Sequence, residues 1–123
     1  MVEIKKIFYK KLVRDNIPEV IKAAGGEAEF EELSPEDFKK ELLLKVGEEA
    51  SGLTSAENRE EIIKELADIE AVTDEIKKEY GITDDELLAA KKANFDKKGG
   101  FDKKLFLVWS EDTGYKTNER RNK

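Results

Sequence analysis

Residues 34–81, SPEDFKKELLLKVGEEASGLTSAENREEIIKELADIEAVTDEIKKEYG, decide the fold. On both sides of a polar break at 54–57, apolar side chains recur every three or four residues, which is typical of amphipathic α-helices. The spacing predicts one helix from Pro35 to about Leu53 and a second helix that runs toward Tyr80. Because the connection between them is short, we predict that the two helices lie antiparallel.

Residues that start and stop helices bound both of these segments. Ser34 supplies an N-cap hydroxyl, and Pro35 follows at the first helical position. Thr54 and Glu57 match a capping box, in which the hydroxyl binds forward and the carboxylate reaches back. Gly81 provides a stop after the second helix. The sequence therefore predicts a tight turn at 54–57.

Two further helices are predicted outside this stretch. The tetrapeptide DNIP at 15–18 begins a short helix, which ends at Gly25. Thr83 and Glu86 form another capping box, and the helix that they start runs to Lys98.

Two other runs have strand-like character. Residues 28–33 alternate weakly between apolar and polar, and residues 105–109, LFLVW, are apolar and β-prone. We therefore predict a mainly-α fold, an antiparallel helical bundle with a possible minor two-stranded β element. A single domain is expected over 1–109, followed by a polar and mobile tail over 110–123.

The composition excludes several kinds of chemistry. The chain has 123 residues, 23 Lys and Arg against 29 Asp and Glu, and neither His nor Cys. It therefore has no Ser-His-Asp triad, no thiol nucleophile and no Cys/His zinc site, and any metal must be held by oxygen ligands, which favours Mg²⁺, Mn²⁺ or Ca²⁺. The net charge of −6 argues against a nucleic-acid partner. Residues 1–7 lack a signal-peptide core and no run is long enough to span a membrane, so we expect a cytoplasmic protein without a membrane partner.

Carboxylates fall in the middle of the predicted apolar faces. At about 100° of rotation per residue, Glu49 lies near the centre of the first face and Glu65 near the centre of the second, with Asp68 at its border. Buried carboxylates need a cation or basic partners, because an unpaired buried charge is costly. A hard divalent metal would satisfy both helices, and the alternative is an inward ion pair such as Glu49 with Lys45. The apolar residues of the two faces are Phe38, Leu42, Val46 and Leu53, and Ile62, Ile69, Val72 and Ile76.

A magnesium site of this kind is usually completed by substrate phosphates, which would need basic or polar contacts. The candidates for these contacts are Arg14, Lys45, Lys91, Asn94 and Lys98. The last three recur at i, i+3 and i+7 on the final predicted helix. Lysines on helices are also commonly solubilising, so the simpler role stays open for each of them.

Four short segments together resemble the all-α nucleoside triphosphate pyrophosphohydrolase superfamily, the MazG-like and phosphoribosyl-ATP pyrophosphohydrolase-like proteins. They are KLVRDNIP at 11–18, KVGEE at 45–49, ELAD at 65–68 and KGGF at 98–101. The first is similar to the Lys-Leu-Val-Arg-Asp-x-Ile-Pro signature of one small branch of the group. The others resemble its Glu-Glu-x-x-Glu helix, its Glu-x-x-Asp helix and its Arg/Lys-Gly-Gly-Phe segment. The resemblance spans residues 11–107.

The resemblance implies a homodimer or higher homo-oligomer, and the narrow apolar faces also favour self-association. It implies an Mg²⁺ enzyme, with Mn²⁺ as a possible substitute, that hydrolyses a nucleotide between its α and β phosphates to a monophosphate and pyrophosphate. It further implies Glu48 as a ligand or water-orienting base. The implied metal ligands are Glu49, Glu65 and Asp68, and the implied phosphate contacts are Arg14, Lys45, Asn94 and Lys98.

One position departs from the resembled pattern. Gly52 stands where the third acid of Glu-Glu-x-x-Glu would fall. The alternative to an enzyme is therefore a nucleotide-binding or assembly module of the same fold that hydrolyses weakly or not at all. We also expect Gly52→Glu to add a ligand and to tighten metal binding in the absence of substrate.

Overall fold

A computed structural model of the protein describes residues 5–114. Residues 5–114 contain four α-helices, and the predicted mainly-α fold is confirmed. They are α1 (Ile17–Ala23), α2 (Pro35–Thr54), α3 (Arg59–Tyr80) and α4 (Asp84–Lys98).

The minor β element is a wrong prediction for the described part of the chain. Neither 28–33 nor 105–109 forms a strand. An isolated pair of short strands is marginal in water unless a third strand or a helix covers it. The side chains of Phe30 and Leu105 stay exposed, so neither run has the packed face that a strand would need.

Side-chain oxygens cap α2 and α4 as predicted, although within 5–114 the return contact of the second capping box is missing and α1 has no side-chain cap. The Ser34 hydroxyl accepts from the amide of Asp37 at 3.2 Å, and the Thr83 hydroxyl accepts from the amide of Glu86 at 3.1 Å. Gly81 ends α3 in the left-handed conformation, with φ of 64°, which a residue without a Cβ adopts at little cost.

The capping box predicted at Thr54 is wrong. Thr54 is the last residue of α2, and its hydroxyl donates to the Ser51 carbonyl at 3.0 Å. Asn58 caps α3 instead, because its side-chain oxygen accepts from the Glu61 amide at 2.9 Å. The Glu61 carboxylate accepts from the Glu57 amide at 2.7 Å. The N-cap of α3 therefore lies four residues later than predicted, and the Glu61 carboxylate binds an amide that precedes the helix.

Helices α2 and α3 pack against each other as a hairpin. Glu49 lies beside Asp68, and Gly52 lies beside Glu65. Residue numbers therefore increase along α2 in the direction in which they decrease along α3. This order confirms the predicted antiparallel arrangement.

The apolar interior of this hairpin is small. Leu42, at 3% exposed, is the buried apolar residue among those that the structure describes. Most other residues of the two predicted faces are half-buried, whereas Ile62 is 42% exposed and lies outside the packed part of its face. The hairpin therefore has little apolar core of its own.

The chain divides into two compact units, one that ends at Glu86 and one that begins at Leu87. The first unit holds α1, α2 and α3, and the second holds most of α4 and the residues that follow it. In the second unit the apolar run at 105–109 is exposed. Of the predicted tail at 110–123, residues 115–123 lie outside the described part of the chain. No helix within 5–114 is both long and apolar enough to cross a membrane.

Candidate metal centre

The hairpin brings three carboxylates together. Glu49 on α2 and the pair Glu65 and Asp68 on α3 each offer an oxygen, and these oxygens all lie within 4.8 Å of one another. Glu65 and Asp68 are three residues apart, which places them on one side of α3. The sequence predicted these three residues as a group, and the structure places them side by side.

Burial and mutual repulsion act on this triad, Glu49, Glu65 and Asp68. The Glu49 side chain is 16% exposed. Burial first, and the Asp68 carboxylate second, raise the pKa of Glu49 above its ordinary value, against the opposing effect of Lys45. Glu65 has no salt-bridge partner among residues 5–114. The triad is therefore a site of concentrated negative charge that a cation would stabilise.

The donor set fits a hard divalent cation. All three donors are carboxylate oxygens, which Mg²⁺, Mn²⁺ and Ca²⁺ prefer. Ligands about 2.0–2.6 Å from one ion are at most about 4–5 Å apart. Oxygens that lie within 4.8 Å of one another are therefore close enough to share a single ion.

Lys45 supplies the positive charge closest to Glu49. Its side chain is 11% exposed, and its ammonium lies 3.8 Å from Glu49 Oε1. The same ammonium donates to the Leu12 carbonyl at 3.0 Å and to Glu48 Oε2 at 3.0 Å. The inward ion pair that the sequence left open is thus present, but it reaches one carboxylate of the triad, and within residues 5–114 Glu65 has no basic partner.

Glu48 lies on the neighbouring side of α2 and makes different contacts. Its Oε1 accepts from the Lys11 ammonium at 2.7 Å, and its other oxygen accepts from Lys45. The hydrogen bond from Lys11 is the main reason that the pKa of Glu48 is lowered. Glu48 is not one of the three grouped carboxylates, and its carboxylate is bound by two ammonium groups.

Arg14 reaches the triad from the segment before α1. Its Nη1 donates to Asp68 Oδ1 at 3.2 Å, and its side chain is 67% exposed. The contact joins residues 54 positions apart in the sequence. A guanidinium that is bound to the edge of the site and largely in solvent can also donate to the oxygens of an incoming anion.

Asn94 and Lys98, the other predicted phosphate contacts, lie on α4 in the second unit. Both side chains are exposed, and so is Lys91 on the same helix. Their role as phosphate contacts stays a prediction.

Two neighbours of the site are not evident from the sequence. Lys11 lies in the KLVRDNIP segment, but no local pattern predicts its pairing with Glu48, which is 37 positions away. Gly52 marks a missing carboxylate in the resembled pattern, and in the structure the Glu65 carboxylate lies directly against it. A Cβ at Gly52 would lie 2.5 Å from Glu65 Oε2. Any side chain at 52 must first move the Glu65 carboxylate, so Gly52→Glu would add one carboxylate and displace another; its tighter metal binding stays a prediction.

Comparison of the chain with models of known protein families, with curated proteins and with solved structures finds no match.

Proposed function

We propose that the chain is a divalent-cation-dependent nucleotide pyrophosphohydrolase. The substrate would be a nucleoside triphosphate or a related nucleotide, cleaved between its α and β phosphates to a monophosphate and pyrophosphate. The observation that carries this proposal is the triad of Glu49, Glu65 and Asp68 on facing helices. Mg²⁺ is the proposed cofactor, and Mn²⁺ is its expected substitute.

Different residues of the first unit would bind the cation and the phosphates. The triad would hold the cation, which would supply positive charge to the phosphate oxygens when it is bound. Arg14 would donate hydrogen bonds to the phosphates from the solvent side of Asp68. Lys45 would hold Glu49 and the Leu12 carbonyl in place. The sequence also supports Asn94 and Lys98 as phosphate contacts.

Glu48 would act indirectly in this proposal. Two ammonium groups, those of Lys11 and Lys45, already bind its carboxylate. It would therefore orient Lys45 and the 11–14 segment, in preference to the ligand or base role that the resemblance implies.

A screen for pyrophosphate release tests the proposal. The protein is incubated with a panel of nucleoside triphosphates and Mg²⁺, and pyrophosphate and orthophosphate are measured separately. We expect pyrophosphate from at least one nucleotide, loss of the signal with a chelator, and loss with Glu65→Gln. Glu70→Gln changes an exposed acid on the same helix and serves as the charge-matched control. Orthophosphate as the first product, or turnover that survives both the chelator and Glu65→Gln, would contradict the proposal.

The second candidate is a module that binds a nucleotide with little or no hydrolysis. It is favoured by Gly52, which leaves the site with three carboxylates where the resembled pattern has four. Nucleotide binding measured calorimetrically with Mg²⁺, in the absence of pyrophosphate release from any nucleotide, would support this candidate over the enzyme.

The proposal also includes self-association and a cytoplasmic location. Leu43 and Leu44 on α2, and Ile63 and Leu66 on α3, are all about half or more exposed, at 47–67%. Covering these side chains with a second copy of the hairpin would bury apolar area that one copy leaves in water.

Cell fractionation would test the proposed cytoplasmic location.

A further inference from the structure

Gly52 on α2 lies directly against the Glu65 side chain. An ideal Cβ at this position would lie 2.5 Å from Glu65 Oε2, 2.8 Å from its Cδ and 3.1 Å from Oε1. All three of these atoms belong to the carboxylate group, so the space that a side chain at 52 would need is filled by the ligand group itself.

A second glycine in α2 has a different environment. A Cβ at Gly47 would have no neighbouring atom within 4 Å. Both glycines lie in the same helix, where glycine is unfavourable relative to alanine. Gly47 lies well inside α2 and Gly52 lies in its last turn, and contact with Glu65 further distinguishes Gly52 from Gly47.

We propose that Gly52 is a positioning residue that holds open the space in which the Glu65 carboxylate joins Glu49 and Asp68. This inference rests on the proposed metal site. It makes Gly52 a residue that positions an existing ligand, Glu65, and not simply a position at which a ligand is lost. A methyl group at position 52 would displace the flexible carboxylate of Glu65, and the Glu65 side chain would rotate into another rotamer. The triad would then keep Glu49 and Asp68 but lose the third oxygen from its place.

The test compares Gly52→Ala with Gly47→Ala, using Mn²⁺ as the probe and titration calorimetry without nucleotide. We expect Gly47→Ala to bind Mn²⁺ like the wild type and Gly52→Ala to bind about tenfold or more weakly, the range found when groups that orient a metal ligand are changed. In metal-free buffer both alanine variants should melt at a higher temperature than the wild type, because each removes a glycine from a helix. Equal Mn²⁺ affinity for both variants would overturn the role of Gly52.

A double-mutant cycle separates an effect through Glu65 from a general effect on the hairpin. If Gly52 acts through this carboxylate, Gly52→Ala should cause no further loss of Mn²⁺ affinity in the Glu65→Gln background. A tenfold loss that persists in that background, or a marked fall in metal-free melting temperature for Gly52→Ala alone, would overturn the inference. Failure of the wild type itself to bind Mn²⁺ would refute the proposed metal site, and with it the role of Gly52. Normal wild-type binding with an unaffected Gly52→Ala variant would refute this inference alone.

Discussion

Replacing Glu65 by glutamine should stabilise the metal-free protein and abolish its stabilisation by Mg²⁺. The two halves of this expectation have one cause. In the absence of a cation, Glu65 adds a third negative charge beside Glu49 and Asp68. When a cation is bound, the same carboxylate of Glu65 would be one of its ligands. Glutamine keeps the shape of the side chain and removes the charge.

The separation of the carboxylates sets the size of the first effect. The carboxylate oxygens lie within 4.8 Å of one another, and at that limit two charges repel by about 0.9 kcal/mol in water and by about 3.5 kcal/mol at an effective dielectric constant of 20. Lys45 and Arg14 cancel part of this repulsion, and the site is partly open to solvent, so we expect a gain near the lower value. A gain of ~1 kcal/mol raises the melting temperature of a domain of this size by about 4 °C.

Thermal unfolding followed by circular dichroism measures both effects, with a chelator and with Mg²⁺. At a Mg²⁺ concentration of about one hundred times Kd, the wild type should gain about 2.7 kcal/mol, whereas the Glu65→Gln variant should gain little. Glu70→Gln controls for the change in net charge and should respond to Mg²⁺ like the wild type. The reasoning is refuted if Glu65→Gln melts below the wild type in chelator and still responds to Mg²⁺, since that result would mean that Glu65 is half of a structural ion pair.

Three other experiments test the contact made by Arg14, the raised pKa of Glu49 and the proposed self-association. Arg14→Ala should tighten binding of Mn²⁺ alone by up to about fivefold, because an exposed pair with Asp68 is worth at most about 1 kcal/mol, and should weaken binding of a non-hydrolysable nucleotide in calorimetry. Because the pKa of Glu49 is raised in the folded state, its protonation favours folding. Urea unfolding of metal-free wild type and Glu49→Gln at a series of pH values measures this effect. The stability of the wild type relative to the variant should be greatest below the ordinary glutamate pKa, and it should fall as pH rises through the raised pKa of Glu49. Sedimentation at micromolar concentration should show an assembly larger than the 14.0 kDa chain, and Leu44→Glu should shift it toward the monomer; a wild type that sediments only as a monomer would reject self-association.

The helices and the acidic triad were predictable because each depends on local periodicity. A rotation of about 100° per residue is enough to place Glu49 and Glu65 on inward faces, and it requires no knowledge of the partner helix. The turn was misplaced because two capping patterns, at Thr54 and at Asn58, lie four residues apart and both satisfy local rules. Tertiary packing decides between such patterns.

Other contacts depend on distances that no local pattern contains. The approach of Lys11 to Glu48 depends on the path of the chain over the 37 positions between them. The contact between Gly52 and Glu65 depends on the spacing of α2 and α3 to within the width of a methyl group. For this reason the sequence identifies Gly52 as a departure from the resembled pattern but does not reveal its contact with Glu65.

The position of the single tryptophan affects how the protein can be followed in solution. Trp109 is 78% exposed and belongs to the second unit, whereas the hairpin that carries the triad belongs to the first. Its intrinsic fluorescence should therefore be that of an indole in water, and it should change little when the hairpin melts. The same probe becomes informative if the apolar run at 105–109 is covered by another chain, because emission then shifts to shorter wavelength. Dilution of the protein while its emission maximum is recorded would thus report on association through that run, independently of the state of the metal centre.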